Sequence, residues 1–357
     1  MKQGNATASG MTIGLDLGDR VTHLCVLDEA GAAVERRQVA TRPESLRRAL
    51  ASYPPSRVVL EVGTHSPWVS RVVTEVGHEA VVANPRRLAV IYANESKNDR
   101  VDAEALARVG RLDPKLLRPI QHRGAQCQAD RALLRSRDAL VRSRTALVSH
   151  VRASVKAMGG RLPSSSSAAF ARRMGKELPA ELREALEPLL EVIQGLTDRI
   201  RAYEREIRKR CETQYPETKQ LSQVDGVGAL TALAFVLCIE DPRRFACSRT
   251  VGAFLGMRPR QRQSGERDPQ LGITKAGDMD VRRLLVGSAH YILGPFGPDS
   301  DLRRFGLRLI ARGGPGAKQR AVVAVARKLA VLLHRLWVTG EVYEPLRQPS
   351  PPIAEAS

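Results

Sequence analysis

The chain has few aromatic residues, no ordered cysteine spacing, no long apolar run and a deficit of negative charge. Each shortage excludes something. Phe, Trp and Tyr make up 4% of 357 residues, too few for stacking on aromatic platforms to be the main way of holding nucleobases. The five cysteines, Cys25, Cys127, Cys211, Cys238 and Cys247, are odd in number and lack zinc-finger spacing. That pattern fits free thiols in a reducing compartment, not a disulfide framework. No apolar run reaches the roughly 18 residues that a membrane helix needs. Residues 1–10 are polar, lack the apolar core of a secretory signal, and are expected to be disordered. Together these readings predict a cytoplasmic protein with no membrane partner.

What is present in excess is positive charge. Lys and Arg number 57 against 38 Asp and Glu, a net +19. Heavy arginine usage in a GC-rich genome explains part of the arginine, but not the unmatched charge. Such a protein attracts polyanions over a Debye length of roughly 8–10 Å, and nucleic acid is the commonest such partner. The apolar fraction of 43% is enough for folded cores, and the length suggests two or three domains.

Residues 11–118 alternate between strand and helix patterns. Met11–Leu17, Val21–Leu27 and Ala32–Ala40 are predicted strands with short turns between them, and Pro43–Ser52 is a helix. Arg57–Gly63 is a buried strand, Pro67–Val76 a helix and Glu79–Asn84 a fifth strand. Pro85 suits the first turn of another helix, and Arg100–Arg111 is one more. Three strands, a helix, then two strands each followed by a helix is the order of the ribonuclease H-like (RuvC-like) fold. The expected class is therefore α/β at the N-terminus and all-α beyond it.

Residues 119–215 are predicted to be helical. Leu133, Leu140 and Leu147 recur every seven residues, as do Leu134, Val141, Val148 and Val155. After a Gly/Pro/Ser break, Leu186, Ile193, Ile200 and Ile207 form one row, and Leu182, Leu189, Leu196 and Tyr203 another. Two such helices imply either an antiparallel hairpin or a dimerising coiled coil. Residues 216–340 are read as a mostly helical domain with a central loop. Its "VDGVG" turn resembles helix-hairpin-helix modules and can present backbone N–H groups to phosphate. Residues 341–357, rich in proline, are expected to be a disordered tail.

Four carboxylates stand out. Asp16 ends the first strand, Glu61 ends the fourth, and Asp99 and Asp102 lie three apart on one helix face. Like charges gathered at strand ends repel unless a cation neutralises them. Mg²⁺ accepts such oxygen ligands, and a pair of ions activates a hydroxyl and stabilises a leaving oxygen in phosphoryl transfer. The plainer alternative is that Asp99 and Asp102 only answer the positive end of a helix dipole. A rival reading, from "IGLDLGDRVTHLCVLDEAG", is the phosphate loop of actin-like and sugar-kinase ATPases. The gap of about 45 residues to "LEVGTHS" is too short for that two-lobed architecture. Among the histidines, His65 lies four residues after Glu61, and none shows metal-ligand spacing.

"GLDLGD", "LEVGTHS", "NPRRLAVIY" and "KNDRVDAEALA" resemble the N-terminal domain of the Piv-like insertion-sequence transposases. The stretch from "VDGVGALTALAF" to "VRRLLVGSAH" is similar to their C-terminal transposase domain. The resemblance implies a RuvC-like Asp-Glu-Asp-Asp site, here Asp16, Glu61, Asp99 and Asp102, holding Mg²⁺ or Mn²⁺. It implies a serine nucleophile, here Ser264, and DNA partners at element ends and target. It also implies a non-coding bridge RNA and dimers that assemble into tetramers. Ser264 sits before Gly265 among Arg258, Arg260, Arg262, Arg267 and Lys275. A phosphoserine would retain bond energy for rejoining, and cations there would stabilise the phosphoryl oxygens; a Ser-Gly turn in a basic binding loop is the plainer reading. Arg282 and Arg283 add two guanidinium groups suited to phosphate. Gln270 stands where a basic residue would be expected, which removes one phosphate contact. A hydrolytic nuclease acting on branched DNA, and a non-catalytic nucleic-acid-binding protein, are the competing functions.

Overall fold

Alternating apolar residues turn the start of the chain into a sheet. In this computed structural model, residues 10–84, 99–261 and 271–347 are described. Strand β1 (Thr12–Leu17) pairs antiparallel with β2 (Val21–Leu27), and β2 pairs antiparallel with β3 (Ala33–Ala40). Strands β4 (Arg57–Glu61) and β5 (Glu79–Ala83) run parallel to β1, giving the order β3-β2-β1-β4-β5. In β3 half-buried and exposed residues alternate, as suits an edge strand, whereas the centre of β4 is wholly buried.

Helices cover both faces. Leu46 and Leu50 of α1 (Pro43–Leu50) and Val69, Val72 and Val73 of α2 (Ser66–Glu75) pack on Ile13, Leu15, Leu24, Val58 and Leu60. The opposite face carries Gly14, Val59 and Cys25 and receives α3 (Asp99–Leu112) through Ala103, Leu106 and Ala107. After α3, Ile120 N–H donates to the Val82 carbonyl at 2.9 Å and closes the edge. This is a mixed α/β unit with the element order expected from the sequence. The helix expected to begin at Pro85 lies outside the described residues.

Beyond Gly124 the described residues form helices joined by loops, with one isolated β-bridge. The long helices α4 (Ala125–Ala157) and α6 (Ala180–Thr213), with short α5 (Phe170–Met174) between them, pack along each other. Arg137 pairs with Glu204, Arg144 donates to Thr197, and Val148 and Val155 share a core with Leu186 and Ile193. Partners descend along α6 as they ascend along α4, so the heptad rows form an antiparallel hairpin within one chain. Leu186, Ile193, Ile200 and Ile207 are all buried, while the second row of α6 is only half-buried.

The remaining helices are α7 (Glu217–Leu221), α8 (Ala229–Ile239), α9 (Arg249–Phe254), α10 (Met279–Leu293), α11 (Asp301–Ala311) and α12 (Ala317–Thr339). Thr231–Ile239 of α8 is buried on every side, the mark of a central helix. Phe235 and Leu237 are nearly inaccessible, and each contributes roughly 1.5–3 kcal/mol by burial.

Two expectations from the sequence are corrected here. A boundary near residue 215 does not separate compact bodies. The chain divides at Gly124, because Cys127 of α4 and Ile207 of α6 close around Leu233 and Leu237 of α8. Residues 341–347, expected to be a loose tail, are held in place. Asp301 N–H donates to the Pro345 carbonyl at 2.8 Å, Tyr343 N–H donates to Gln223, and the Tyr343 ring packs on the core. Among the described residues no helix is long and apolar enough to cross a membrane. All five cysteines are free.

Candidate carboxylate site and nucleic-acid surface

Register and parity bring the expected carboxylates to one edge of the sheet. Leu15 pairs with Leu60 across the parallel β1–β4 ladder, so Asp16 and Glu61 leave neighbouring strands at the same level. Asp16 alternates with Gly14, and Glu61 with Val59, so both belong to the face that α3 covers. A Cβ on Gly14 would come within 1.9 Å of the Ala103 carbonyl oxygen, and a Cβ on Gly110 within 2.3 Å of Val59. Arg111 Nη1 donates to the Gly10 carbonyl before β1 at 2.9 Å, and Arg57 Nη1 at the start of β4 donates to the Gly110 carbonyl at 3.3 Å, so α3 runs antiparallel to β1 and β4, pressed against them. Asp99 precedes Ala103 by about 6 Å of helical rise, and Asp16 follows Gly14 by about 6.6 Å of strand. The first turn of α3 thus meets the strand ends where Asp16 and Glu61 stand.

Asp16 and Asp102 are half-buried and Glu61 is exposed. The backbone of Asp99 starts α3, and its side chain lies outside the described residues. Among the described residues no group of three His, Cys, Asp or Glu side chains lies close enough together to hold a metal ion. Carboxylates are an oxygen donor set suited to Mg²⁺ or Mn²⁺, and Asp16 and Glu61 share one edge.

Neighbouring groups stiffen this edge. Thr41 Oγ1 donates to the Gly18 carbonyl at 2.9 Å and meets the Thr22 hydroxyl at 2.9 Å, which pins the turn after Asp16. Glu104 of α3 binds Arg36 of β3 and Arg108, each at 2.7 Å. Arg36 first and Arg108 second hold its carboxyl below the usual range. In the loop after β4, Gly63 N–H donates to Ser66 Oγ at 3.0 Å, and Ser66 Oγ meets His122 Nε2 at 2.9 Å. Burial, then Arg71 and Arg123, hold the His122 imidazole below its usual range.

Two histidines adjoin this edge. His23 lies directly opposite Asp16 in the β1–β2 register, and the short Gly18–Arg20 turn was the signal for that pairing. Trp68 Nε1–H donates to His65 Nδ1 at 3.1 Å, and His65 Nε2 faces Asp19 at 3.4 Å. His65 is thus an anchored side chain, not a loose surface one.

The second group of expected residues surrounds a hairpin base. Pro259 and Ile273 form an antiparallel bridge. Arg260 N–H donates to the Gly272 carbonyl at 3.0 Å, and Thr274 N–H to the Arg258 carbonyl at 2.9 Å. Gly256 and Gly277, both at positive φ, allow a close crossing there: a Cβ on Gly256 would fall 1.8 Å from the Ala276 carbonyl oxygen. Ser264, Arg262 and Arg267 lie outside the described residues. Arg258, Arg260 and Lys275 are exposed at the base. Arg283 is exposed on α10 and pairs with Asp138 at 2.6 Å. Arg282 turns inward, and its Nη1 donates to the carbonyls of Leu255 and Ala276 at 2.9 and 3.1 Å. Sequence reasoning gave Arg282 to phosphate, but the structure spends it on tying α9 to the start of α10. The "VDGVG" turn also has a packing reason: Gly226 is at φ +84°, and a Cβ there would meet Tyr291 at 2.9 Å.

Comparison with known proteins adds ancestry to this geometry. Residues 13–158 match a family profile described as a transposase, and residues 218–299 match one described as the IS116/IS110/IS902 transposase family. A transposase for insertion sequence element IS1111A from Coxiella burnetii is 30% identical over 93% of this chain and 90% of its own. The chain belongs to the IS110/IS116/IS902 family of transposases. A transposase for insertion sequence element IS1328 from Yersinia enterocolitica is 30% identical over 78% of this chain and 82% of its own. A probable family 20 transposase from Pseudomonas aeruginosa is 29% identical over 93% and 98%. This transposase is therefore an enzyme that acts on DNA, and its N-terminal profile is one of the DEDD type. That type implies dependence on a divalent metal.

Proposed function

We propose that this transposase is a site-specific DNA recombinase that cleaves and rejoins strands with two sets of residues. Asp16, Glu61, Asp99 and Asp102 hold Mg²⁺ or Mn²⁺, and Ser264 is the nucleophile. The observation that carries the reading is the shared level and face of Asp16 and Glu61 at the edge that receives the first turn of α3. Carboxylate oxygens brought to one level in this way are the ligand type that a hard divalent cation takes. When bound, the metal supplies Lewis-acid stabilisation of a phosphate and of the leaving oxygen.

This chain's own residues perform the remaining tasks. Arg258, Arg260, Arg262, Arg267, Lys275 and Arg283 bind the DNA backbone around the loop that contains Ser264. Attack of the Ser264 hydroxyl on a phosphodiester forms a Ser–O–P bond and releases a 3′ or 5′ hydroxyl. Attack by another strand's hydroxyl reverses the step, so phosphodiester bonds are conserved. By its family resemblance we further read the enzyme as guided by a bridge RNA and as assembling from dimers into tetramers. Target choice then lies in base pairing, not in protein side chains.

Trapping of a covalent protein–DNA adduct tests this. Protein, Mg²⁺, element-end DNA and the flanking transcript are mixed and separated under denaturing conditions. The adduct is expected with the natural sequence and absent in both Ser264→Ala and Asp102→Ala. Free cleaved DNA that persists in Ser264→Ala would replace the proposal with a hydrolytic nuclease.

A further inference from the structure

A groove of about 1350 Å³ opens in the helical unit beside the hairpin base. Residues of α12 and α11 line it, together with Pro259, Arg260, Leu271 and Ile273 at the hairpin base. The described lining carries nine lysines and arginines against two carboxylates, Asp301 and Glu344. No motif in the sequence singles the groove out, because its cations come from separate helices.

The order of residues along α12 is specific. Arg320, Arg327 and Arg335 follow one another at two-turn intervals, about 11 Å apart by helical rise. Val323, Val331 and Leu332 fill the intervals and line the same groove. Cation and aliphatic surface therefore alternate along one helical stripe. Arg335 is shared with Glu341, and Arg320 caps the turn at Gly313 and Pro315. Arg249 and Arg308, both exposed on the groove, have no carboxylate partner among the described residues. Lys328 lies 4.1 Å above the Phe305 ring, which occupies that aromatic face.

We infer that this groove binds an unpaired DNA strand. Phosphates would lie against the arginines, and base faces against the aliphatic intervals and the planes of the guanidinium groups. A duplex buries its base faces in its own stack and offers only phosphate and wet groove edges, so it would leave the apolar floor uncovered. A single strand exposes both kinds of surface in alternation, as the groove does. The identity of the strand as DNA rests on the recombinase reading: the hairpin base that flanks Ser264 in sequence also lines the groove. Binding itself requires neither cleavage nor metal.

The test is fluorescence anisotropy with full-length protein in EDTA, using a labelled short oligothymidylate and a DNA duplex of equal length. Arg249→Ala combined with Arg308→Ala is expected to weaken oligothymidylate binding by about tenfold. It should lower the magnitude of its salt slope by about 1.4, two contacts at roughly 0.7 each. The duplex constant should stay within about twofold. The Arg249→Lys and Arg308→Lys pair, which keeps both charges, should restore most of the oligothymidylate affinity and reports on folding. Equal losses for single strand and duplex would overturn the inference in favour of a general basic surface. No loss for either would remove the groove as a binding site. Binding of an oligouridylate about tenfold more tightly than oligothymidylate would make the occupant RNA and overturn the assignment to DNA. None of these outcomes touches the covalent adduct test, which stands or falls on Ser264 and the carboxylates.

Discussion

Gly14→Ala tests the link between the fold and the proposed metal site. The added methyl would lie 1.9 Å from the Ala103 carbonyl oxygen and 2.9 Å from the Ala107 nitrogen, whereas ordinary contact begins near 3.4 Å. Both obstructing atoms are helix backbone, so no side chain can swing aside. Helix α3 must lift by about 1.5 Å, and Asp102, which adjoins Ala103, must move with it. Overpacking of this size costs about 1–3 kcal/mol, which a unit of this size survives. A displacement of about 1 Å at a catalytic group costs on the order of 10²-fold in rate. Cleavage of element-end DNA should therefore fall by about 10²-fold while circular dichroism still shows a folded chain. Gly195→Ala is the matched control. Gly195 is exposed within α6 with open space around it, so alanine there should add about 0.5–1 kcal/mol of stability and leave cleavage unchanged. Wild-type cleavage and melting temperature in Gly14→Ala would refute the argument that the sheet and α3 jointly position the carboxylates.

Two further outcomes follow from buried charge. Arg131 pairs with Asp278, whose other carboxylate oxygen accepts the Asp280 and Val281 N–H groups at 3.0 and 3.1 Å and so caps α10. Both side chains are nearly buried, so Arg131→Met strands a carboxylate and should cost about 3 kcal/mol, seen as a drop of several degrees in the melting temperature; an unchanged melting curve would show that the cap alone sustains Asp278. His122, held neutral by burial beside Arg71 and Arg123, has a folded pKa below its ordinary 6.5. The unfolded chain therefore takes up the proton first as pH falls. Its stabilisation is present above about pH 6.5 and is lost as pH falls toward the folded value. Melting temperature should decline across that window, and His122→Gln should flatten the decline; parallel profiles for both proteins would contradict this.

The N-terminal architecture was legible because its strands are short, apolar and separated by Gly and Asp turns. The strand-end positions of Asp16 and Glu61 followed from the same pattern. Parity and register then required the structure: the sequence does not say that Gly14 touches Ala103 or that Arg111 reaches Gly10, and these two contacts together orient α3. The heptad rows showed two long helices and left their partner open. Their pairing within the chain follows from Arg137 with Glu204 and Arg144 with Thr197, contacts between polar residues outside the heptad rows. Arg282 misled because a side chain that binds backbone carbonyls cannot be told by type from one that binds phosphate. The groove of α11 and α12 was illegible because its cations are scattered between residues 249 and 347 and converge only after folding.

The inward arginines make this chain intolerant of a change that leaves its charge intact. Arg282 spans the carbonyls of Leu255 and Ala276, and Arg303 spans those of Ile292 and Gly294, both at 2.6 Å. In each case one Nη1, carried at fixed reach by a planar and weakly hydrated guanidinium, donates to both acceptors, whereas a lysine ammonium is a strongly hydrated point on a shorter, flexible stem. A copy of this transposase with every arginine exchanged for lysine would keep its net charge and its attraction to DNA. It would lose the joints that set α9, α10 and α11 in place, so homologues from lysine-rich genomes are expected to retain arginine at 282 and 303 while drifting freely at 249 and 308 between the two basic residues.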